Sequence, residues 1–257
     1  VMLAPHSPYA CSSDVLTQIA ALADDLGARL HIHLSETEAE VAEAFETWSM
    51  SPPAYLDSLG LLSLPMTAAH CVHLSDADIA LLDRPTFGIS HNPAANLKLQ
   101  SGIAPVPKMV GRELAVGLGS DGNGSNDVID ILKDVYLATI LHTWREEQHP
   151  TQTCLAMATR EGARALGLGE QVGSLEVGMK ADMILVSVDK ARTVPVHHPH
   201  DTLALTCHGS DVTTTIVDGQ VLMQDGQFLT LDAEEVLDQA RERAQRIFGV
   251  PSPVKVL

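Results

Sequence analysis

The stretch His31-Ile32-His33-Leu34-Ser35-Glu36 places two imidazoles and a carboxylate within six residues. If 29–34 is a β-strand, alternate side chains share a face, so His31 and His33 point the same way. Imidazole nitrogens with a carboxylate just past the strand end make a donor set suited to a divalent metal. A second stretch, Ala69-His70-Cys71-Val72-His73, puts His70 where a strand should end. There an imidazole can hydrogen-bond a metal-bound water and take its proton, because imidazoles titrate near neutrality. His73 reads as structural. A third, Ser90-His91-Asn92-Pro93 with Ser101-Gly102 downstream, has the polar and turn-forming residues of a binding loop. In the fourth, Gly117–Asp127, Asp121 is surrounded by glycines and small polar residues that let other groups come close. An ionised carboxylate there could bind a metal and pass a proton onward. Taken singly, each pattern also has an ordinary explanation: a chance His-x-His pair, a satisfied strand-end histidine, a loop, an Asp-Gly turn. Their order, each after its own expected strand, is far more specific.

The elements that must position these residues follow from hydrophobic pattern and caps. Strands are expected at 1–4, 29–34, 66–69, 86–90 and 115–119. Helices are expected at 14–26, capped by Ser12 or Ser13 and stopped by Gly27, at 36–48, at 75–82 with Ser75 as cap, from 126 to about Arg145, and at 153–166. A helical patch, Ala54–Gly60, follows Pro52 and Pro53. Alternation of this kind predicts parallel βαβ units. His33, His70, His91 and Asp121 fall at or just past the C-terminal ends of successive strands, where a (β/α)₈ barrel builds its active site. An open sheet usually binds at one crevice instead. The expected fold is therefore α/β, a (β/α)₈ TIM barrel present here in part. The composition changes near residue 171. Residues 173–189 and 212–231 are rich in β-branched residues, and Asp218-Gly219 and Asp225-Gly226 are hairpin turn pairs. The expected plan is a partial barrel over 1–170, part of a small β-sandwich over 171–231, and a C-terminal amphipathic helix and tail over 232–257.

Composition narrows the partners. Thirty-three acids against 16 bases give a net charge of −17, a field that repels nucleic-acid phosphates and anionic lipid. The four cysteines are scattered with no Cys-x-x-Cys pair, which argues against a zinc ribbon or disulfide framework and for a reducing cytoplasm. No apolar run is long enough to span a bilayer. With 45% hydrophobic but only 4% aromatic residues, the core must be aliphatic, as buried parallel strands prefer.

Ala4–Tyr9 (APHSPY), His31–Thr37 (HIHLSET), Ala68–Leu74 (AAHCVHL), Ile89–Val106, Gly117–Asp127 and Gly173–Val186 together resemble the amidohydrolase superfamily. Within it they are similar to the branch of 5′-methylthioadenosine/S-adenosylhomocysteine deaminases and triazine chlorohydrolases. The resemblance implies one divalent metal, zinc in the first place and iron as the alternative, with His33 and Asp121 as ligands. It implies that Glu36 protonates a ring nitrogen of a heteroaromatic substrate. His70 would orient or deprotonate the attacking water, and Asp121 would also pass a proton to the leaving ammonia. His6 matches a substrate-contacting position, His91 would line the pocket, and His31 would stay off the metal. The implied activity is hydrolytic deamination of an adenine-type nucleoside by metal-bound hydroxide. A triazine chlorohydrolase or aminohydrolase is the alternative, and an inactive fragment the third reading. Family members carry a further His-x-His pair on their first barrel strand, which this sequence does not contain. The resemblance thus places Val1 near the fourth strand, with the remaining ligands expected from an N-terminal segment or a companion chain; related enzymes are often multimers.

Overall fold

The computed structural model describes residues 1–142 and 150–249. Five parallel strands form one sheet: β1 (Met2–Leu3), β2 (Arg29–Leu34), β3 (Met66–His70), β4 (Phe87–His91) and β5 (Ala115–Leu118), in that spatial order. Neighbours are consecutive in sequence, so the order never reverses as it does in a doubly wound sheet. On β2, Leu30, Ile32 and Leu34 are fully buried, and His31 and His33 take the alternate positions. All five residues of β3 are buried, as expected for a strand covered on both faces.

The connections are α1 (Ser13–Leu26), α2 (Glu38–Trp48), α3 (Pro52–Ser58), α4 (Asp76–Leu82), α5 (Pro93–Lys98) and α6 (Val106–Val110). Local chemistry starts the first four. The side chains of Ser12, Thr37, Ser51 and Ser75 accept hydrogen bonds from the backbone N–H of Val15, Glu40, Ala54 and Asp78. Gly27 ends α1 in the left-handed conformation. Apolar faces of these helices bury Leu16, Leu56, Ile79, Leu82 and Met109 against the sheet's Leu30, Ile32 and Ile89.

After β5 come α7 (Asn123–Asn126), α8 (Ile131–Leu141), α9 (Pro150–Met157) and α10 (Arg160–Ala165). Two sequence expectations need correcting here. The single helix from Asn126 does not form: Asp127 takes a left-handed φ of 66°, and Asp130 caps a new start by accepting from the N–H of Leu132 and Lys133. Its expected end at Arg145 lies outside the described residues. The helix expected over 153–166 is likewise two, interrupted where Thr159 leaves helical geometry at φ −130°, ψ −103°.

Two glycines let α10 touch the sheet directly. A Cβ on Gly88 would lie 2.1 Å from the carbonyl oxygen of Ala165, and one on Gly117 would lie 2.7 Å from the Cα of Gly162. Such distances are impossible for real atoms, so backbone meets backbone at β4 and β5. Thr67 Oγ1 donates to the same Ala165 carbonyl at 2.8 Å.

The chain divides into two compact units, Val1–Met179 with Val188–Gly209, and Lys180–Ser187 with Ser210–Leu257. The first holds the parallel sheet and also α11 (Pro199–Thr206), whose Ala204 packs with Val135, Ala138 and Cys154 of α8 and α9. The second contains an antiparallel sheet, β6 (Met183–Val186), β7 (Val212–Val217), β8 (Gln220–Gln224) and β9 (Gln227–Phe228), then α12 (Ala233–Phe248). Both expected turns form. Asp218-Gly219 and Asp225-Gly226 each have two successive positive φ values, 49° and 80°, then 50° and 76°, which match the right-handed strand twist. Among the described residues no helix is long and apolar enough to cross a membrane.

Candidate active site

The C-terminal ends of β1, β2 and β3 carry a row of imidazoles. The rings of His6 and His33 stack with centroids 4.6 Å apart, and those of His33 and His70 with centroids 5.3 Å apart. The row follows from register. His33 pairs with Ala69, and Leu34 with His70, so neighbouring strands deliver their histidines to one rim.

Hydrogen bonding then assigns protons. His33 Nδ1 lies 2.7 Å from the carbonyl oxygen of His6. A carbonyl only accepts, so Nδ1 carries the hydrogen and Nε2 keeps its lone pair. The same carbonyl accepts from the backbone N–H of His33 at 3.0 Å, fixing the Pro5–Ser7 loop against β2. His6 Nδ1 pairs with Ser7 Oγ at 3.0 Å, and its ring stays exposed. His31 shares the rim's electrostatics: burial, then the neighbouring His33 and His70, hold its pKa below the ordinary imidazole value.

Glu36 sits on a tight corner just past β2, where Ser35 has a left-handed φ of 51°. The buried Glu40 carboxylate holds that corner by accepting from the N–H of Ser35 at 2.8 Å and of Glu36 at 2.7 Å. Burial raises the pKa of Glu40, against the pull of those two N–H groups. Glu36 Oε1 accepts from Ser101 Oγ at 3.0 Å, and Oε2 faces His70 Nε2 across 3.7 Å. His70 is 1% exposed, and it and Cys71 leave β3 in consecutive left-handed conformations, φ 72° and 51°. His70 Nδ1 pairs with Asn96 Oδ1 at 2.8 Å. His73 reaches the Ser101 carbonyl at 2.6 Å, the structural role expected of it.

His91 is also 1% exposed, at the end of β4. Its Nε2 meets His142 Nε2 at 3.1 Å, a pair in which one ring must donate and the other accept. Burial pushes the His91 pKa down to about 3 and that of His142 down to about 4. Asp121 follows β5 by three residues in a left-handed conformation, φ 59°, and its Oδ1 accepts from the N–H of Gly122 at 2.6 Å. Asn126 Nδ2 donates to the Ser120 carbonyl at 2.6 Å and folds the loop back on itself. Among the described residues no group of three or more His, Cys, Asp or Glu side chains is arranged to hold a metal ion.

Three residues of this network escaped the sequence reading. Asn96 lay inside a quoted motif without a role, and Glu40 and Asp134 stand in no motif with a role in the sequence. Asp134 is fully buried on α8, accepts from the Ala94 N–H at 3.3 Å, and has its pKa pushed up to about 6 by burial.

Residues 1–222 match the family model described as amidohydrolase family. The chain belongs to the amidohydrolase family. Among its curated relatives, a 5-methylthioadenosine/S-adenosylhomocysteine deaminase of Moorella thermoacetica is 42% identical over 248 residues, covering 95% of this chain and 58% of that protein. A deaminase of the same name from Desulforudis audaxviator is 41% identical over 249 residues, covering 96% of this chain and 58% of that protein. Among solved structures, an adenosine deaminase from Xanthomonas campestris with bound zinc superposes with a TM-score of 0.91 at 31% identity, over 97% of this chain and 57% of that one. An atrazine chlorohydrolase from Arthrobacter aurescens, complexed with zinc, superposes with a TM-score of 0.83 at 27% identity, over 92% and 53% of the two chains. This amidohydrolase chain therefore spans 58% of the length of the curated relatives named here.

Proposed function

We propose that this amidohydrolase chain carries the acid–base half of the active site of a hydrolytic deaminase acting on an adenine-type nucleoside: 5′-methylthioadenosine, S-adenosylhomocysteine or adenosine. One observation carries the reading. Glu36 Oε2 and His70 Nε2 face each other across 3.7 Å while the remaining polar atom of each side chain is engaged by Ser101 or Asn96. That leaves one carboxyl oxygen and one ring nitrogen aimed at the same place, as general acid–base chemistry on a bound ring requires.

His33 and Asp121 are the donor types that a divalent cation takes. His33 presents an unprotonated Nε2, and Asp121 adds a carboxylate with lone pairs beyond the Gly122 contact. Zinc is our first assignment and iron the second. A divalent metal held there would lower the pKa of a bound water toward about 7 and so make a nucleophile available at neutral pH. In our reading Glu36 delivers a proton to the ring nitrogen next to the carbon that loses its amino group. His70 Nε2 orients the attacking water, receives its first proton and returns it to Glu36, which faces it across 3.7 Å; Asp121 takes the second proton from the new hydroxyl and passes it to the departing ammonia. His6, exposed at the rim, contacts the substrate, and His91 lines the pocket from beneath.

The geometry sets a condition on the fold. Three strand spacings separate β2 from β5, roughly 14 Å along a flat sheet, too far for one cation to span. We infer that the sheet curls as barrel strands four to eight, bringing His33 and Asp121 together, and that the antiparallel unit is part of a β-sandwich. Further ligands would complete the coordination of such a cation.

The test offers zinc-supplemented protein 5′-methylthioadenosine, adenosine and a chlorotriazine while following ammonia and chloride. Ammonia from the nucleosides, abolished by Glu36→Gln, supports deamination. Chloride release alone favours the chlorohydrolase reading, and protein that binds neither zinc nor iron and turns over nothing would be an inactive remnant.

A further inference from the structure

Asn92–Gln100 and the Ser101 that follows connect the two acid–base groups from the far side. Asn96 is 1% exposed and Ser101 is 5% exposed, so neither is a surface contact. The carbonyl of Asn96 accepts from the Ser101 N–H at 2.8 Å, closing the end of α5 into a tight loop. The His73 ring seals that loop from the other side through the Ser101 carbonyl at 2.6 Å. From this one rigid loop, Asn96 Oδ1 reaches His70 Nδ1 at 2.8 Å and Ser101 Oγ reaches Glu36 Oε1 at 3.0 Å. The partners lie 26 and 65 residues away in the chain, on the rims of β3 and β2.

We propose that Asn96 and Ser101 form a single positioning clamp that confines proton transfer to Nε2 of His70 and Oε2 of Glu36. An amide oxygen accepts and never donates, so Asn96 keeps the hydrogen of His70 on Nδ1 and exposes the Nε2 lone pair. A hydroxyl that donates to Oε1 makes that oxygen the poorer base and holds the carboxyl plane still, leaving Oε2 to carry the mobile proton. Asn96 Nδ2 is buried without a hydrogen-bond partner among the described residues. An unsatisfied buried N–H is costly, so the contact with His70 comes at the expense of the amide's own second half. The clamp rests on the deaminase reading for its purpose but not for its geometry.

The test separates the two. In protein carrying ¹⁵N-histidine, long-range ¹H–¹⁵N spectra should show His70 as the Nδ1–H tautomer. Asn96→Leu should abolish that single form, and Asn96→Asp, which keeps an acceptor, should retain it. The side-chain carboxyl ¹³C resonance of Glu36 should move in Ser101→Ala and stay in place in Ser101→Thr. In zinc-supplemented enzyme, Asn96→Leu and Ser101→Ala should lower kcat about 10- to 100-fold with KM unchanged, and the two conservative variants should recover most of it. A wild-type His70 protonated on Nε2, or resonances indifferent to Asn96→Leu and Ser101→Ala, overturns the clamp. The spectroscopic pattern without turnover of any adenine-type substrate supports the clamp and refutes the deaminase reading instead.

Discussion

The rims of β2 and β3 differ in kind from the rim of β5. At the first, each side chain is tied to the protein through one polar atom or its backbone corner: Glu40 holds the Glu36 corner, Ser101 holds its carboxylate, Asn96 holds His70, and the His6 carbonyl holds His33. At the second, Asp121 rests on a loop of small residues and the contact recorded for its carboxylate is with the next backbone N–H. The difference teaches a division of labour. On the proposed reading, the groups that would move protons are oriented by the fold itself, whereas the group that would bind a cation can rely on the cation to complete its geometry.

The largest expected effect tests the rigid rim directly. Glu36→Gln keeps the shape but removes the acid, and kcat on 5′-methylthioadenosine should fall about 10²- to 10⁴-fold while metal content stays unchanged. Asp121→Ala should do the reverse: elemental analysis should show zinc lost. The ligand-dependent stabilisation, about 2.7 kcal/mol at a metal concentration 100 times Kd, should vanish from thermal melts with it. If Glu36→Gln costs metal or Asp121→Ala does not, the division of labour is wrong. Glu40→Gln sharpens the contrast further. It leaves one of two backbone N–H groups facing an amide N–H, and should destabilise the protein by about 1–3 kcal/mol in chemical denaturation while slowing turnover without touching metal content.

The smallest effect is a pH dependence set beneath the His91 loop. Because burial raises the Asp134 pKa to about 6 from an ordinary 3.8, folding favours its protonated form. The stability this gives is complete below about 3.8 and is lost as the pH climbs through about 6. The melting temperature of Asp134→Asn relative to the parent should therefore rise between pH 4 and 7. A constant difference would refute the buried-carboxyl account.

Much of the framework was legible in the sequence because it is written locally. The five strands appear within one or two residues of their expected bounds, since hydrophobic runs and serine or threonine caps act over four residues or fewer. The rim positions of His33, His70 and His91 followed from the same runs. Asp130 could have been read as a cap ahead of Ile131, which would have split the long helix correctly. The tautomers could not be read. They depend on His6 meeting His33 across 27 residues and Asn96 meeting His70 across 26, and no periodicity encodes such pairs. Buried Glu40 and Asp134 were missed for a related reason: a carboxylate on a helix looks solvated until its tertiary neighbours are known.

Gly88 and Gly117 carry a consequence for how this protein tolerates change. Neither has a side chain, yet each fixes how closely a strand bearing a rim residue lies against α10. Adding one methyl group at either place would wedge the sheet from behind and shift His91 or Asp121 without altering any reactive atom. Surveys of natural variation should therefore find the mildest-looking replacement, glycine to alanine, purged from these two places, while bulkier exchanges on the outer helices pass unnoticed.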